Sequence, residues 1–191
     1  MKKQIVISLL YTAITALLLG IVYPLAVTGA AHVLFPKQAD GSLIQRNGEL
    51  IGSHLIGQTF SGPGYFWSRP SAAGTGYDAA NSSGSNLAPT NKDLAARIAA
   101  SVQTLDPKGT SGPAPIDLVT SSASGLDPDI SPAAAFYQIP RIAATRHIDE
   151  DALKALVATH VTQRQFGLLG EPRVNVLELN LDLDAKTQPA K

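Results

Sequence analysis

From Gln4 to Pro36 the chain runs for 33 residues without an Asp, Glu, Lys or Arg, and Ile5 through Val22 is apolar apart from a few hydroxyls. At about 1.5 Å per residue a helix of that length reaches roughly 50 Å, whereas the hydrocarbon core of a bilayer is about 30 Å thick. Such a segment crosses a membrane and projects beyond it. The pattern predicts a transmembrane anchor over residues 1–35 and one soluble domain over residues 36–191. A cleavable signal peptide would also begin with Lys2 and Lys3 and offer small residues such as Thr28-Gly29-Ala30-Ala31 to a peptidase. Its apolar core, however, runs for about 7 to 15 residues, and this one stays apolar through Val33. Pro24 lacks an N–H, and its ring opposes the preceding turn, so it predicts a kink that a neighbouring helix would help to tolerate. Lys2, Lys3 and the terminal amine, set against Lys37 and Arg46, favour a cytoplasmic N-terminus and an extracytoplasmic domain.

Fifteen basic and fifteen acidic residues cancel. That balance lacks the positive footprint of a protein that grips nucleic-acid phosphates, so nucleic acid is not an expected partner. Without cysteine the chain has no disulfide, thiolate metal site or thiol nucleophile.

The soluble part reads as a mixture of helix and strand, an α+β fold behind a single span. Asn47-Gly48 between Ser42-Leu43-Ile44 and Leu50-Ile51 predicts a β-hairpin, because that pair supplies the positive φ angles of a tight turn. Leu55–Phe60 and Tyr65–Trp67 predict short strands around the turn cluster Ser61-Gly62-Pro63-Gly64. Residues 71–89 are small and polar and predict a long loop. Asn91 caps a predicted helix with Leu94, Ile98, Val102 and Leu105 on one face, stopped by Pro107, and a second loop follows from Pro107 to Pro115. Ile116–Val119 predicts a buried strand. Ser131 and Pro132 start a helix that Pro140 kinks or restarts. Asp149 caps another helix, with Leu153, Leu156, Val157, His160 and Val161 on its core face. The alternation of Leu177, Leu179, Leu181 and Leu183 with polar residues predicts a strand.

Several chemistries are missing from the sequence. There is no glycine-rich loop ending in Gly-Lys-Ser/Thr to cradle phosphates, no Asp-Lys-Thr of an aspartyl-phosphate pump and no Gly-x-Ser-x-Gly elbow. The four histidines, His32, His54, His147 and His160, have no companions at metal-ligand spacing. No catalytic residue and no metal site are predicted. A stand-alone exported binding domain remains an alternative, and neutral charge with few aromatics argues against a lipid-binding or adhesive one.

Three stretches carry a more particular signature. The first runs from Gly64-Tyr65-Phe66-Trp67-Ser68-Arg69-Pro70-Ser71-Ala72 through Tyr77 to Ser83-Gly84-Ser85-Asn86-Leu87 and Asn91. The second runs from Asp117-Leu118-Val119-Thr120-Ser121-Ser122-Ala123-Ser124-Gly125-Leu126-Asp127-Pro128 to Ile130-Ser131-Pro132-Ala133-Ala134. The third runs from Gly167-Leu168-Leu169-Gly170-Glu171-Pro172-Arg173-Val174-Asn175-Val176-Leu177 to Leu179-Asn180. With Gly20-Ile21-Val22-Tyr23-Pro24 in the anchor, their order and spacing closely resemble the C subunit of the bacterial Kdp potassium-transporting ATPase over nearly the whole chain. Ser83 stands where family members often have Gly, and Asp129 where His or Asn is common.

The resemblance implies a non-catalytic accessory subunit of a high-affinity, ATP-driven potassium importer in the bacterial inner membrane. The implied partners are a channel-like, potassium-translocating A subunit, an ATP-hydrolysing B subunit, a small single-span F subunit and membrane lipid. Family members are described as needed for a functional complex. They are also described as catalytic chaperones that raise the B subunit's affinity for ATP, or as external elements at the potassium entrance. No cofactor of its own is implied, and ATP enters through the B subunit. A Ser/Gly signature proposed for nucleotide contact falls on Ser122, Ser124 and Gly125, which also suit an Asp-Pro turn and a helix cap. Tyr23, Pro24, Arg69, Asn86, Asp127 and Arg173 are candidates for the subunit interface. For the loop residues among them, satisfying backbone groups within the long loops is an equal alternative.

Overall fold

The computed structural model describes residues 1–107 and 112–186. Two compact units, Met1–Ser53 and His54–Lys191, divide the chain.

In the first unit, Lys2–Leu34 is one 33-residue helix, apolar enough to cross a membrane, and none of its most hydrophobic window is buried by the rest of the chain. It comprises α1 (Lys2–Leu17), a π-helical turn (Leu18–Val22) and α2 (Tyr23–Leu34). Pro24 explains the π turn. Its nitrogen cannot bond the Gly20 carbonyl, and its ring would crowd that carbonyl in a regular α turn. The chain widens locally instead, so that the Tyr23 N–H reaches back five residues to the Leu18 carbonyl. The single-turn helix α3 (Pro36–Ala39) follows the break at Phe35.

The hairpin forms as the sequence predicts. Strands β1 (Leu43–Arg46) and β2 (Glu49–Ser53) pair antiparallel, with Arg46 opposite Glu49 and a bulge between Ile44 and Gln45. Asn47 and Gly48 have φ of 55° and 81°, the left-handed pair of a type I′ turn. By its contacts this hairpin groups with the N-terminal helix, whereas the sequence boundary at residue 35 assigned it to the soluble domain.

The second unit is built on helices α4 (Lys92–Leu105), α5 (Pro132–Arg146), α6 (Glu150–Thr159) and α7 (Val176–Lys186). A small antiparallel sheet accompanies them, in the order β3 (Asp129–Ile130), β5 (Arg173–Asn175), β4 (Val161–Thr162). Caps fall where expected. The side chains of Asn91, Ser131 and Asp149 accept from the backbone N–H groups of Asp93, Ala134 and Ala152. The core joins Ile139 and Ile142 of α5, Leu153 and Val157 of α6, Val174 of β5, and Leu179 and Leu183 of α7 around Phe66. Each such side chain, fully buried, contributes about 1.5–3 kcal/mol of apolar transfer.

Three expectations are corrected and one is narrowed. Of the kink or restart expected at Pro140, the restart does not occur: α5 runs through the proline, which sits on the exposed face, where water can serve the carbonyl it leaves unbonded. Ile116–Leu118 is a 3-10 turn rather than a buried strand: the Leu118 N–H bonds the Pro115 carbonyl, and Ile116 is 75% exposed. Leu177–Leu183 lies in α7 rather than in a strand. Val176, Leu177, Leu179, Asn180 and Leu183 are buried, and Val176, Leu179, Asn180 and Leu183 among them have the i, i+3, i+4, i+7 spacing of a helix face; the Asn175 side chain accepts from Glu178 N–H at 3.1 Å, capping the helix.

The third correction concerns residues 55–67, where no strand ladder forms. Two buried side-chain amides replace it. Asn180 Oδ1 accepts from Phe66 N–H, and Asn180 Nδ2 donates to the Phe66 carbonyl, both at 2.9 Å. Gln138 does the same for Trp67, at 2.8 and 3.1 Å. Arg141 stacks over the Trp67 ring at 3.8 Å and donates to the Pro63 carbonyl. Burial pulls its guanidinium down to about 10, still charged at neutral pH. Arg146 stacks over Tyr65 and pairs with Asp184 at 2.7 Å. Around a turn closed by the Tyr65 N–H on the Gly62 carbonyl, the segment is held by side chains of α5 and α7.

Candidate functional site

The long polar loops converge on a set of partly exposed charges. Arg69 Nη1 pairs with Asp127 Oδ2 at 3.0 Å, and its Nε donates to the Thr120 carbonyl at 3.4 Å. Arg173 Nε pairs with Asp129 Oδ2 at 2.9 Å. The two pairs are tied together by the backbone, since Asp127 Oδ1 accepts from Asp129 N–H at 3.0 Å. Next to them, His54 Nδ1 meets Glu178 Oε1 at 2.9 Å, and Asn175 Nδ2 donates to the His54 carbonyl at 3.0 Å. Three of the sequence-predicted interface residues, Arg69, Asp127 and Arg173, thus share one neighbourhood.

The sequence marks Asp129 only as a departure from the family pattern, and neither it nor His54, Asn175 or Glu178 is among the predicted interface residues. The Asp-Pro-Asp spacing was the available signal for Asp129, because residues two apart on an extended segment lie on one side. Burial holds the Asp129 carboxyl above the ordinary carboxylate range; Arg173 opposes that shift, and Asp127 reinforces it. The Arg69 and Asp127 side chains are 24% and 29% exposed, whereas Arg173 is 49% exposed, so solvent screens the Arg173 pair more.

Tyr77 supports this arrangement from beneath. Its hydroxyl donates to the Arg69 carbonyl at 2.7 Å, and burial pushes the phenol up to about 12 against the effect of Ser68, so it stays neutral. Gly57 lies so close that a Cβ there would stand 2.5 Å from the Asp127 carbonyl oxygen and 2.6 Å from the Tyr77 ring.

The Ser122, Ser124 and Gly125 loop is stitched into the same region. Ser122 Oγ accepts from Gly125 N–H at 2.9 Å, and Ser124 Oγ accepts from Leu126 N–H at 3.1 Å. The Gly125 carbonyl accepts from Ser71 Oγ at 2.6 Å, and the Ser124 carbonyl accepts from Ser83 N–H at 3.0 Å. Gly125 has φ of +67°, and a Cβ would come within 2.6 Å of Ala73 N and Ser83 O. The N–H groups of Gly125 and Leu126, the kind a phosphate would need, are engaged within the loop.

Asn86 stands apart: it is exposed, with φ of 52°, and shares no hydrogen bond with the charged set. Tyr23 and Pro24 belong to the other unit, on the exposed surface of the long helix. Among the described residues no group of three His, Cys, Asp or Glu side chains could hold a metal ion.

The chain is similar to known proteins along most of its length. A family model described as KdpC, the K+-transporting ATPase c chain, matches residues 5–185. The potassium-transporting ATPase KdpC subunit of Koribacter versatilis is 56% identical over 189 residues, covering 99% of this chain and 97% of that protein. The one from Acidobacterium capsulatum is 61% identical over 177 residues, covering 93% and 95%. With a family match over nearly all of its residues and relatives this similar, the chain belongs to the KdpC family, the c chain of the K+-transporting ATPase.

Proposed function

We propose that the chain is a non-catalytic, single-pass subunit of a potassium-importing ATPase, with its N-terminus in the cytoplasm and the soluble domain that follows residue 35 outside. Its partners are a channel-like A subunit, an ATP-hydrolysing B subunit and a small F subunit. The observation that carries this reading is the family match over residues 5–185 together with a 33-residue apolar helix that the rest of the chain leaves uncovered. A bare helix of that kind is satisfied by lipid and by neighbouring spans, which suits assembly into a membrane complex.

In this reading the Arg69–Asp127 and Arg173–Asp129 pairs form the docking face toward the channel-like subunit. Partly exposed ion pairs on rigid loops set orientation and specificity in an interface more than raw affinity. An effect on ATP affinity is transmitted through the membrane helices, by the subunit binding one state of the pump better than another. Direct nucleotide contact through Ser122, Ser124 and Gly125 would require their loop to give up the hydrogen bonds that close it.

The test is detergent extraction and affinity purification of the tagged chain from its host. Recovery with partner chains of channel and pump size and with potassium-stimulated ATP hydrolysis is expected. A chain that purifies alone, and whose deletion leaves potassium uptake intact, sinks the proposal and favours a stand-alone anchored binding domain.

A further inference from the structure

The apolar face of α4 is not sealed. None of its residues is fully buried, and between α4 and the loop over residues 60–70 lies a cavity of about 420 Å³. That volume is in the range of small-molecule sites, about 300–1,000 Å³. Phe60, Trp67, Pro70 and Leu118 line one side, and Ala100 and Leu105 of α4 line the other. Among the described residues Arg97 is the single charged side chain in the lining, and no carboxylate accompanies it there.

Arg97 is poorly matched by the protein itself. Among the described residues its one hydrogen bond is a long one, 3.4 Å from Nη2 to Ser121 Oγ. Its Nε has no partner, and it forms no ion pair among the described residues. A guanidinium keeps its charge at every physiological pH, and its fork of donors matches a carboxylate. A single cation balances one negative charge, which favours a monoanion over a phosphate dianion.

We propose that this cavity binds a small monocarboxylate with an apolar or aromatic body. The carboxylate pairs with Arg97, and the body lies against Trp67, Phe60 and Leu105. The site is separate from the charged neighbourhood of Arg69 and Arg173, and the proposal stands whether or not that neighbourhood is a docking face.

Trp67 is the only tryptophan in the chain and lines the cavity, so its emission reports occupancy directly. The full chain in phosphatidylcholine vesicles is titrated with 4-phenylbutyrate and, separately, with the uncharged 4-phenylbutyramide. A saturable change in Trp67 emission is expected with the acid, and binding at least tenfold weaker with the amide. Arg97→Gln should weaken binding of the acid at least tenfold while leaving the far-ultraviolet circular dichroism unchanged. Ser101→Phe, which fills the cavity from α4 and keeps Arg97, should abolish the response and decides the matter if Arg97→Gln does not fold. The proposal is overturned by a response that never saturates, by equal binding of acid and amide, or by binding that survives in a folded variant.

Discussion

Asn180 holds Phe66 as a neighbouring strand would, accepting from its N–H and donating to its carbonyl, both at 2.9 Å and both fully buried. Asn180→Leu keeps the volume but strands two backbone groups away from water, each costing about 1–3 kcal/mol. Stability should fall by about 2–4 kcal/mol. Denaturant titration of the full chain, followed by Trp67 emission, measures it. A loss below 1 kcal/mol would show that the loop finds other partners.

Gly125 and Gly167 both have positive φ, +67° and +74°, but only Gly125 is hemmed in. Alanine at residue 167 should cost only the left-handed strain, about 1–2 kcal/mol. At residue 125 it must also displace the backbone of Ala73 and Ser83, so a loss of about 3 kcal/mol or more is expected. Comparing the two thermal midpoints separates strain from crowding.

Asp129 gives a pH dependence with a definite sign. Burial raises its folded-state pKa above the unfolded value, so folding favours the protonated form. Its contribution to stability is therefore complete below the ordinary aspartate range, about pH 4, and is lost as pH rises through the raised value. Asp129→Asn should flatten the stability profile above pH 4 and leave the protein at least as stable at pH 7, because the lost Arg173 pair is half-exposed. Denaturation midpoints between pH 4 and 7 test it, and a variant as pH-sensitive as the parent would remove Asp129 as the cause.

Charge reversal at either arginine probes the proposed docking face. Arg69→Glu and Arg173→Glu should each reduce co-purification with the channel-like subunit several-fold. The effect should be larger for Arg69, whose pair is less exposed. Full assembly by both folded variants would point instead to a purely internal role in holding the loops.

Pro24→Leu restores the missing backbone donor and removes the reason for the π turn. Membrane insertion should persist, since the span becomes more apolar, while recovery of the assembled complex should drop. Quantitative co-purification from equal amounts of membrane-inserted chain is the measurement.

Much of this was legible in the sequence because it rests on local rules. Asn47-Gly48, Asn91, Ser131-Pro132 and Asp149 each fix a turn or a helix start through their own dihedrals and side-chain bonds. Reading failed where a buried polar residue carried the pattern. Asn180 counts as a solvent residue in a period-two reading, so the leucines around it suggest a strand. Once Asn180 is known to be buried, the spacing of Val176, Leu179, Asn180 and Leu183 is plainly helical. Phe66 and Trp67 misled for the complementary reason, because the partners of their backbone are side chains more than 70 residues away. Arg69, Asp127 and Arg173 were picked out for their rigid surroundings, but the pairing of each arginine with its own aspartate depends on how the loops fold back. The match of Arg97 to a cavity required the whole packing of α4.

The π turn also changes which way the long helix faces. A regular α-helix advances about 100° per residue, so residues eleven apart, such as Ile14 and Leu25, would stand nearly one above the other. The extra residue accommodated between Leu18 and Val22 rotates the two halves by roughly 100° relative to that expectation. The span therefore behaves as two short helices on a common axis with different azimuths, each presenting its large side chains to its own sector of the membrane. One helical wheel drawn through the whole segment would misassign the contact surface of one half.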